Sequence, residues 1–214
     1  MQLTREDFQK FLYTYNEDEL FYRTLYFEKK EHPETFHKFC LNLDCDLISR
    51  RQLYVPELQK EGWHSYFEEK AMFCDTADNI MLYKHYRYTP EFIHKHEFFE
   101  ILCIYDGQAH TSIQGIEHTL HKGDVCIIPP HTKHSVGVFD DSIAVNILIR
   151  GTTFQSTFFQ ALTADSALAQ FFAHVLYRKT EGNYLIFHTG NDVRICDMLE
   201  TMYDAMGVGL AAPQ

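Results

Sequence analysis

The chain has 214 residues, 45% of them hydrophobic and 15% aromatic, which is enough for one well-packed domain with an extension. Its formal net charge of −11 repels phosphate, so these residues as a whole make a poor nucleic-acid surface. The first residues lack the basic and apolar segments of a signal peptide, and no apolar run reaches the roughly 18 residues that span a bilayer. Six cysteines without a Cys-x2-Cys pair indicate reduced thiols. We therefore predict a globular cytoplasmic protein.

Residues 1–78 form a predicted N-terminal helical extension. Thr4 with Asp7, and Asn16 with Glu19, have the spacing of helix-capping pairs, and aromatic residues recur at helical spacing. Such an aromatic stripe is typical of a helical layer packed on a neighbouring core. The alternative is that this segment forms a lid or a dimer surface.

Residues 79–150 contain eight short predicted strands, rich in β-branched and aromatic residues and separated by glycine and proline turns. They are Ile80–Tyr88, Glu91–His96, Phe98–Tyr105, Gln108–Ile113, Glu117–Leu120, Asp124–Ile128, His134–Val138 and Ser142–Ile149. Short strands at this spacing predict a barrel or jelly roll. The third strand is apolar on both faces, which requires cover outside the barrel by the N-terminal helices or by a second copy of the chain.

Residues 151–214 form a predicted C-terminal helical and dimerisation segment. Helical periodicity appears in Phe154–Ala161, Ser166–Tyr177 and Val193–Met206, with a short extended piece at Tyr184–His188 between the last two. The domain organisation is therefore predicted to be helical, then β, then helical.

Four residues in the strand region have side chains that commonly bind metals. His94, His96 and Glu100 share the parity that places side chains on one face of a strand. His134 comes from a later strand and completes a set of three imidazoles and one carboxylate. Such a set could hold a divalent metal (Zn, Ni, Fe or Mn) and leave positions open for water or a bound molecule.

These residues resemble the cupin motifs. The first half matches His-x-His-x3-Glu-x6-Gly at every position, ending at Gly107. The second half matches Gly-x5-Pro-x-Gly-x2-His-x3-Asn at Gly123, Pro129 and His134, but His131 occupies the glycine position and Val138 the asparagine position. The resemblance implies a double-stranded β-helix, or jelly-roll barrel, so the predicted fold class is mainly β with flanking helices.

A more specific resemblance covers residues 80–206. The histidine-rich first motif, the segment Leu120–Val125, and the extended piece followed by a helix at Val193–Met206 resemble the sensor half of AraC-type transcription regulators. The resemblance implies a cupin barrel that binds a small effector, such as a sugar, through His94, His96, Glu100 and His134. It also implies a homodimer, and DNA binding through a C-terminal domain that is not in these residues. On this interpretation the chain is not an enzyme.

Two alternatives remain open from the sequence. In the first, the four residues hold a metal for a cupin oxygenase or isomerase, although no motif fixes a further acid or base; His110, His121 and His131 have no spacing that commits them to the site. In the second, the four residues are buried polar groups that satisfy one another in a barrel that only dimerises.

Overall fold

The computed structural model describes residues 4–58, 66–74, 78–154, 156, 184–190 and 192–206. The helices are α1 (Arg5–Tyr13), α2 (Glu17–Glu31), α3 (Phe36–Leu41), α4 (Cys45–Arg50), α5 (Glu69–Met72), α6 (Gly151–Thr153) and α7 (Val193–Met206), with a 3-10 turn at Pro56–Leu58. The strands are β1 (Tyr66–Phe67), β2 (Ile80–Lys84), β3 (Lys95–His96), β4 (Phe99–Asp106), β5 (Gln108–Ile113), β6 (Ile116–His121), β7 (Val125–Ile128), β8 (His134–Gly137), β9 (Ile143–Ile149) and β10 (Leu185–Phe187).

Two antiparallel sheets pack face to face. The larger has the strand order β10-β7-β4-β9-β2 and the smaller the order β6-β5-β8, while β1 and β3 form a short parallel pair. Apolar side chains from both sheets, including Leu102, Ile128, Ile113 and Val136, form the core between them. The predicted fold class, a mainly β cupin-type jelly roll with flanking helices, is confirmed, although the strands of the described residues form two facing sheets rather than one closed barrel.

The N-terminal residues form a helical layer that packs on the sheets. Both predicted capping boxes are present: Thr4 pairs with Asp7 before α1, and Asn16 pairs with Glu19 before α2. The layer has its own apolar core, formed by residues such as Tyr22, Leu25, Phe36, Cys40 and Ile48. This part of the chain therefore has the helical structure that its sequence predicted.

The outer face of β4 is covered by helices from both ends of the described chain. Phe99 and Cys103, both 0% exposed, contact a cluster that includes Phe8 of α1 and Leu199 of α7. The Phe8 and Tyr203 rings lie 4.6 Å apart between their centroids. The prediction that this strand is buried on both faces is confirmed, and the chain itself supplies the cover.

Two predicted strands are shorter than expected. The strand predicted at Ile80–Tyr88 ends at Lys84, and of the strand predicted at Glu91–His96 only Lys95–His96 is a strand. The chain leaves the sheet after Lys84 because Arg87 turns towards buried Glu19 and Tyr88 adopts a left-handed φ of 63°. The helix predicted at Ser166–Tyr177 and most of the one predicted at Phe154–Ala161 lie outside the described residues.

Among the helices of the described ranges, none has the length and apolar character needed to cross a bilayer.

The turn at Gly107 requires glycine for two reasons. Its φ is +70°, and a Cβ at this position would lie 2.6 Å from the Cβ of Ser142. Ser142 has little freedom to move, because its Oγ accepts a hydrogen bond of 2.8 Å from the backbone N–H of Gln108. The motif position is therefore occupied by the one residue type that fits both the backbone and the packing.

We expect Gly107→Ala to destabilise the protein more than Gly115→Ala, as measured by chemical denaturation. Gly115 has a similar φ of +80°, but a Cβ added there would have nothing within 4 Å, so its substitution carries only the left-handed strain of about 1–2 kcal/mol. Gly107→Ala adds overpacking against Ser142, which costs about 1–3 kcal/mol. Equal losses in the two variants would mean that Ser142 moves aside without cost.

Candidate functional site

The backbone brings the four predicted site residues together at one end of the two sheets. His94 and His134 form an antiparallel bridge in which each backbone N–H donates to the other's carbonyl, at 2.9 and 3.0 Å. His96 follows on β3 and Glu100 lies near the start of β4. His94, His96 and Glu100 therefore lie in one place, as their spacing predicted, and the backbone bridge to His94 brings His134 beside them.

Glu100 is the centre of this cluster. Its Oε2 lies 3.2 Å from Nε2 of His96 and 3.4 Å from Nε2 of His134. The ring centroids of His94 and His134 are 4.2 Å apart. Glu100, His96 and His134 are buried, and His94 is half-buried. The four side chains thus form one contiguous polar cluster.

Backbone carbonyls set the tautomers of the three imidazoles. Nδ1 lies 3.2 Å from the carbonyl of Phe92 in His94, 2.7 Å from that of Phe98 in His96, and 3.0 Å from that of Thr132 in His134. A carbonyl only accepts hydrogen bonds, so each Nδ1 must carry the proton and donate it. In the neutral ring, Nε2 then carries no proton, so it can accept a hydrogen bond or bind a metal through its lone pair.

This arrangement directs lone pairs at a carboxylate. Nε2 of His96 and Nε2 of His134 are both buried and, among the described residues, neither has a hydrogen-bond partner, although both lie near Glu100. Two lone pairs facing a negative oxygen repel it in a low-dielectric interior. A positive charge between them, from a proton or a metal ion, would convert this repulsion into attraction.

The protonation states follow from burial and from the neighbouring groups. Burial, together with the charge of His134, lowers the pKa of His94 to about 3, and burial also lowers the pKa of His96. Burial alone would raise the pKa of Glu100, but hydrogen bonds and positive charge from His134 and His96 outweigh it and hold that pKa well below 4.5, an effect that requires a proton or another cation between the carboxylate and the imidazoles. Burial therefore favours the neutral, metal-binding form of His94 and His96 beside the carboxylate of Glu100.

The donor set fits a divalent metal. Ligand atoms of His94, Glu100 and His134 all lie within 4.8 Å of one another. Atoms bound about 2.0–2.2 Å from a tetrahedral ion lie roughly 3.4 Å apart, close to the 3.4 Å between Oε2 of Glu100 and Nε2 of His134. The carbonyls at the Nδ1 atoms are the outer partners that usually orient histidine ligands. His96 contacts Glu100 but lies outside this three-residue set.

A cavity of about 230 Å³ adjoins the cluster. Its walls come from the larger sheet, from the segment between β2 and β4, and from the N-terminal layer. The lining includes His94, His96 and Glu100 of the cluster, the layer residues Asp18, Tyr22, Arg51 and Tyr54, and the sheet residues Tyr83, His85, Asn146 and Leu148. The N-terminal layer therefore packs on the sheets, as predicted, and also forms a wall of the cavity.

Most of these residues were not predicted from the sequence to line a binding site. Asn146 is the only polar residue of β9, and this interruption of an apolar strand was the signal that could have identified it. His85 shares the parity of Tyr83 but lies beyond the end of β2. The layer residues carry no local signal, because only long-range packing brings them to the cavity.

Two positions depart from the cupin pattern, His131 and Val138. His131, in the glycine position, adopts a left-handed φ of 64°, and Gly123 has a φ of 87°. Val138, in the asparagine position, is 1% exposed in the core between the sheets. His110, His121 and His131 are not among the residues that line the cavity.

Comparisons with known proteins support a single family. The model of the AraC-like ligand binding domain matches residues 81–211. "HTH-type transcriptional activator RhaS" of Yersinia pestis (strain Pestoides F) is 33% identical over 57 residues, which cover 27% of this chain and 21% of that protein. The matched region thus spans about a fifth of the length of this relative.

Solved structures show weaker similarity. Apo ToxT from Vibrio cholerae strain SCE256, a single-residue variant, is 16% identical with a TM-score of 0.40, covering 58% of this chain and 46% of that chain. An RmlC-like cupin from Shewanella frigidimarina is 20% identical with a TM-score of 0.31, covering 34% of this chain and 68% of that chain. Because the family model matches more than half of its residues, the chain belongs to the AraC-like ligand-binding domain family.

Proposed function

We propose that this domain senses a small polar effector, such as a sugar, in the cavity beside His94, His96, Glu100 and His134. It would do so as the sensing and dimerisation part of an AraC-type transcription regulator that contacts DNA through a separate domain. The observation that carries this proposal is the position of the unpartnered polar atoms. Five buried side-chain atoms of the described residues have no hydrogen-bond partner, and one of them, Oδ1 of Asp18, still has Nε of Arg51 at 2.8 Å. Of the other four, three belong to the cavity-lining residues His85, His96 and Asn146, and the fourth is Nε2 of His134 in the adjoining cluster.

Buried polar atoms normally have partners, so their concentration around one cavity supports a ligand that supplies them. The size of the cavity favours a small compound, since it lies just below the ~300–1,000 Å³ of pockets for drug-sized ligands. The charge supports DNA binding by a separate domain, because a net charge of −11 disfavours DNA contact by this one.

The effector would act by favouring one arrangement of the helical segments. A ligand shifts such an equilibrium only if it binds the two states with different affinity. The N-terminal layer connects the cavity to the helices, because Asp18 and Arg51 line the cavity while α1 of the same segment packs against α7. Helix α7 also leaves Met198 42% exposed, which favours it as a dimer contact.

The donor geometry supports a second candidate, metal binding at the same cluster. A divalent ion (Zn, Ni, Fe or Mn) held by His94, Glu100 and His134 would supply a Lewis acid that binds an oxygen of the effector. The metal-dependent oxygenase or isomerase remains the enzyme alternative. We infer that the domain is not an enzyme, for two reasons. The matching family is one of ligand-binding domains. The carboxylate of Glu100 contacts the imidazoles of His96 and His134, so these groups interact with one another instead of serving as a general acid or base.

A thermal-shift screen of neutral sugars, sugar acids and divalent metals tests the proposal. A ligand of the folded state at 100 times its Kd stabilises that state by about 2.7 kcal/mol and raises the midpoint. Val136→Phe places an aromatic ring where the cavity wall has an isopropyl group, and it should abolish the shift for any true effector. Ile116→Phe, on a residue that is 55% exposed, is the matched control and should retain it.

Two results would contradict effector binding in this cavity. In the first, no compound raises the midpoint of the wild-type protein. In the second, a compound raises the midpoint equally in the wild type and in Val136→Phe.

A further inference from the structure

A diagonal line of polar side chains crosses the inner face of the larger sheet. Asn146 on β9 pairs directly with Tyr83 on β2 and with Leu102 on β4. Glu100 pairs with Leu148, and the backbone N–H of His85 donates to Ala144 at 2.9 Å. Asn146 is therefore the diagonal neighbour of Glu100 on one side and of His85 on the other.

Diagonal neighbours in a sheet lie about 7–8 Å apart, within the combined reach of their side chains and a bound molecule. All three residues line the cavity. The line thus extends from the histidine and glutamate cluster along the cavity floor, towards the N-terminal layer.

Asn146 and His85 each have a buried polar atom for which the described residues supply no hydrogen-bond partner. These atoms are Oδ1 of Asn146 and Nε2 of His85. Every other residue of β9 is apolar, so an aliphatic side chain at this position would continue the pattern of the strand. A buried amide oxygen without a partner destabilises the folded state, which favours a binding role over a stabilising one.

The chemistry of the line selects for hydroxyl groups. Glu100 only accepts hydrogen bonds, an amide both donates and accepts, and Nε2 of a neutral imidazole does one or the other according to its tautomer. A hydroxyl group can satisfy each of these partners, because it donates one hydrogen bond and accepts others. The aromatic side chains of Tyr83, Phe92 and Phe98 supply apolar walls for the carbon skeleton between hydroxyl groups.

The charge of the cavity favours an uncharged ligand. Its lining contains two carboxylates, Asp18 and Glu100, and two cations, Arg51 and Lys84, which cancel. Both cations already have carboxylate partners, since Lys84 lies 2.6 Å from Glu19 and Arg51 lies 2.8 Å from Asp18. The described lining therefore offers no unpaired cation to an anionic ligand.

We propose that Asn146 and His85 form a second subsite of the cavity, which binds hydroxyl groups of a neutral polyhydroxylated compound whose other end lies at Glu100. This inference rests on the proposed effector binding and names the residues that determine its specificity. The ligand class is a monosaccharide or a cyclic polyol rather than a sugar acid.

Calorimetric titration with five probes tests this subsite: D-xylose, L-arabinose, D-galactose, L-rhamnose and myo-inositol, with D-galacturonate as the charged comparison and a chelator in every sample. At least one neutral probe should bind the wild-type protein more tightly than D-galacturonate does. Asn146→Leu and His85→Phe should each weaken that binding at least about tenfold, since each removes a hydrogen bond to a buried partner.

Matched controls carry the same substitutions at exposed positions. Asn42→Leu, at the end of α3, and His110→Phe, on the outer face of β5, should bind the probe as the wild type does. Direct evidence that needs no variant comes from the ¹⁵N resonances of the wild-type His85 imidazole, which should shift when the bound probe is added.

The outcomes separate this inference from the proposed function. Equal affinity in both cavity variants and both controls, with no shift of the His85 resonances, would overturn the subsite while leaving effector binding intact. Binding only of D-galacturonate would overturn the ligand class. Failure of every compound in this titration and in the broader thermal screen would overturn the proposed function itself.

Discussion

Replacing Glu19 with alanine is expected to lower the free energy of unfolding by about 3–5 kcal/mol. Glu19 is 0% exposed and lies between two buried cations, 2.6 Å from Nζ of Lys84 and 2.8 Å from Nε of Arg87. The substitution leaves both cations buried without their carboxylate. Removing one member of a buried ionic group has a large effect because the remaining charge cannot regain its hydration.

Chemical denaturation of a small variant set measures this effect. Glu17→Ala, two residues earlier in the same helix, is the matched control: its side chain is 82% exposed, so we expect a change within about 0.5 kcal/mol. Glu19→Gln retains the side-chain volume but removes the charge, so it should also destabilise strongly. If Glu19→Ala and Glu17→Ala cost the same, the buried cluster contributes nothing to stability.

The ionic group of Glu19, Lys84 and Arg87 should also affect how the stability depends on pH. Burial alone would raise the pKa of Glu19, but hydrogen bonds and charges from Arg87 and Lys84 outweigh it and lower that pKa below 4.5. A carboxyl group with a lowered pKa in the folded state contributes stability that is fully present above its unfolded pKa. That contribution is lost as the pH falls through the folded pKa, and Glu19→Gln should remove this part of the acid transition.

The ionic group of Glu19, Lys84 and Arg87 also connects the stability of the fold to the wall of the cavity. Lys84 donates to the carbonyl of Thr14, at 2.9 Å, and Arg87 stacks on the ring of Tyr15, at 3.6 Å. These contacts fix the junction between α1, which packs on α7, and α2, which lines the cavity. Loss of Glu19 should therefore loosen the N-terminal wall of the cavity before it unfolds the sheets.

The strands and the four-residue cluster could be predicted because their signals are local. The spacing of His94, His96 and Glu100 indicated a common site, although the chain bends at residues 97 and 98 between β3 and β4. Strand β5 runs from Gln108 to Ile113 as predicted. The two-sided apolar pattern of Phe98–Tyr105 required cover on both faces, and Phe8 and Leu199 provide it on the outer one. In each case the physical cause acts over a few residues or on a whole face.

The buried ionic group and the cavity wall could not be predicted, because they depend on contacts between residues far apart in the sequence. Glu19 was predicted only as a capping residue, yet it also binds Lys84 and Arg87, which are more than sixty positions away. Nothing in the local pattern around Arg51 or Tyr22 indicates a cavity wall. The domain boundaries at 78 and 150 remain predictions, and the packing of the N-terminal layer against the sheets shows why a pattern of helices and strands does not by itself define units.

The second large effect concerns metal binding. Glu100→Ala is expected to abolish measurable binding of Zn or Ni by the domain, because it removes the only anionic donor of the proposed set. Loss of an outer hydrogen-bond partner typically costs about 10–100-fold in affinity, and loss of a direct ligand should exceed that. The measurement is metal content after dialysis, together with titration calorimetry. Glu97→Ala is the matched control, since Glu97 lies three positions earlier and binds Tyr66 instead of the cluster.

A glutamine at the same position separates a metal site from a proton-sharing cluster. In Glu100→Gln the amide can donate hydrogen bonds to Nε2 of His96 and of His134, so the metal-free fold should be at least as stable as the wild type. The same variant should bind metal poorly, because its remaining oxygen is neutral. If wild type, Glu97→Ala and Glu100→Gln all retain equal metal, Glu100 is not a ligand. If none binds metal and Glu100→Gln is clearly less stable than the wild type, the cluster is held together by a proton shared between Glu100 and an imidazole.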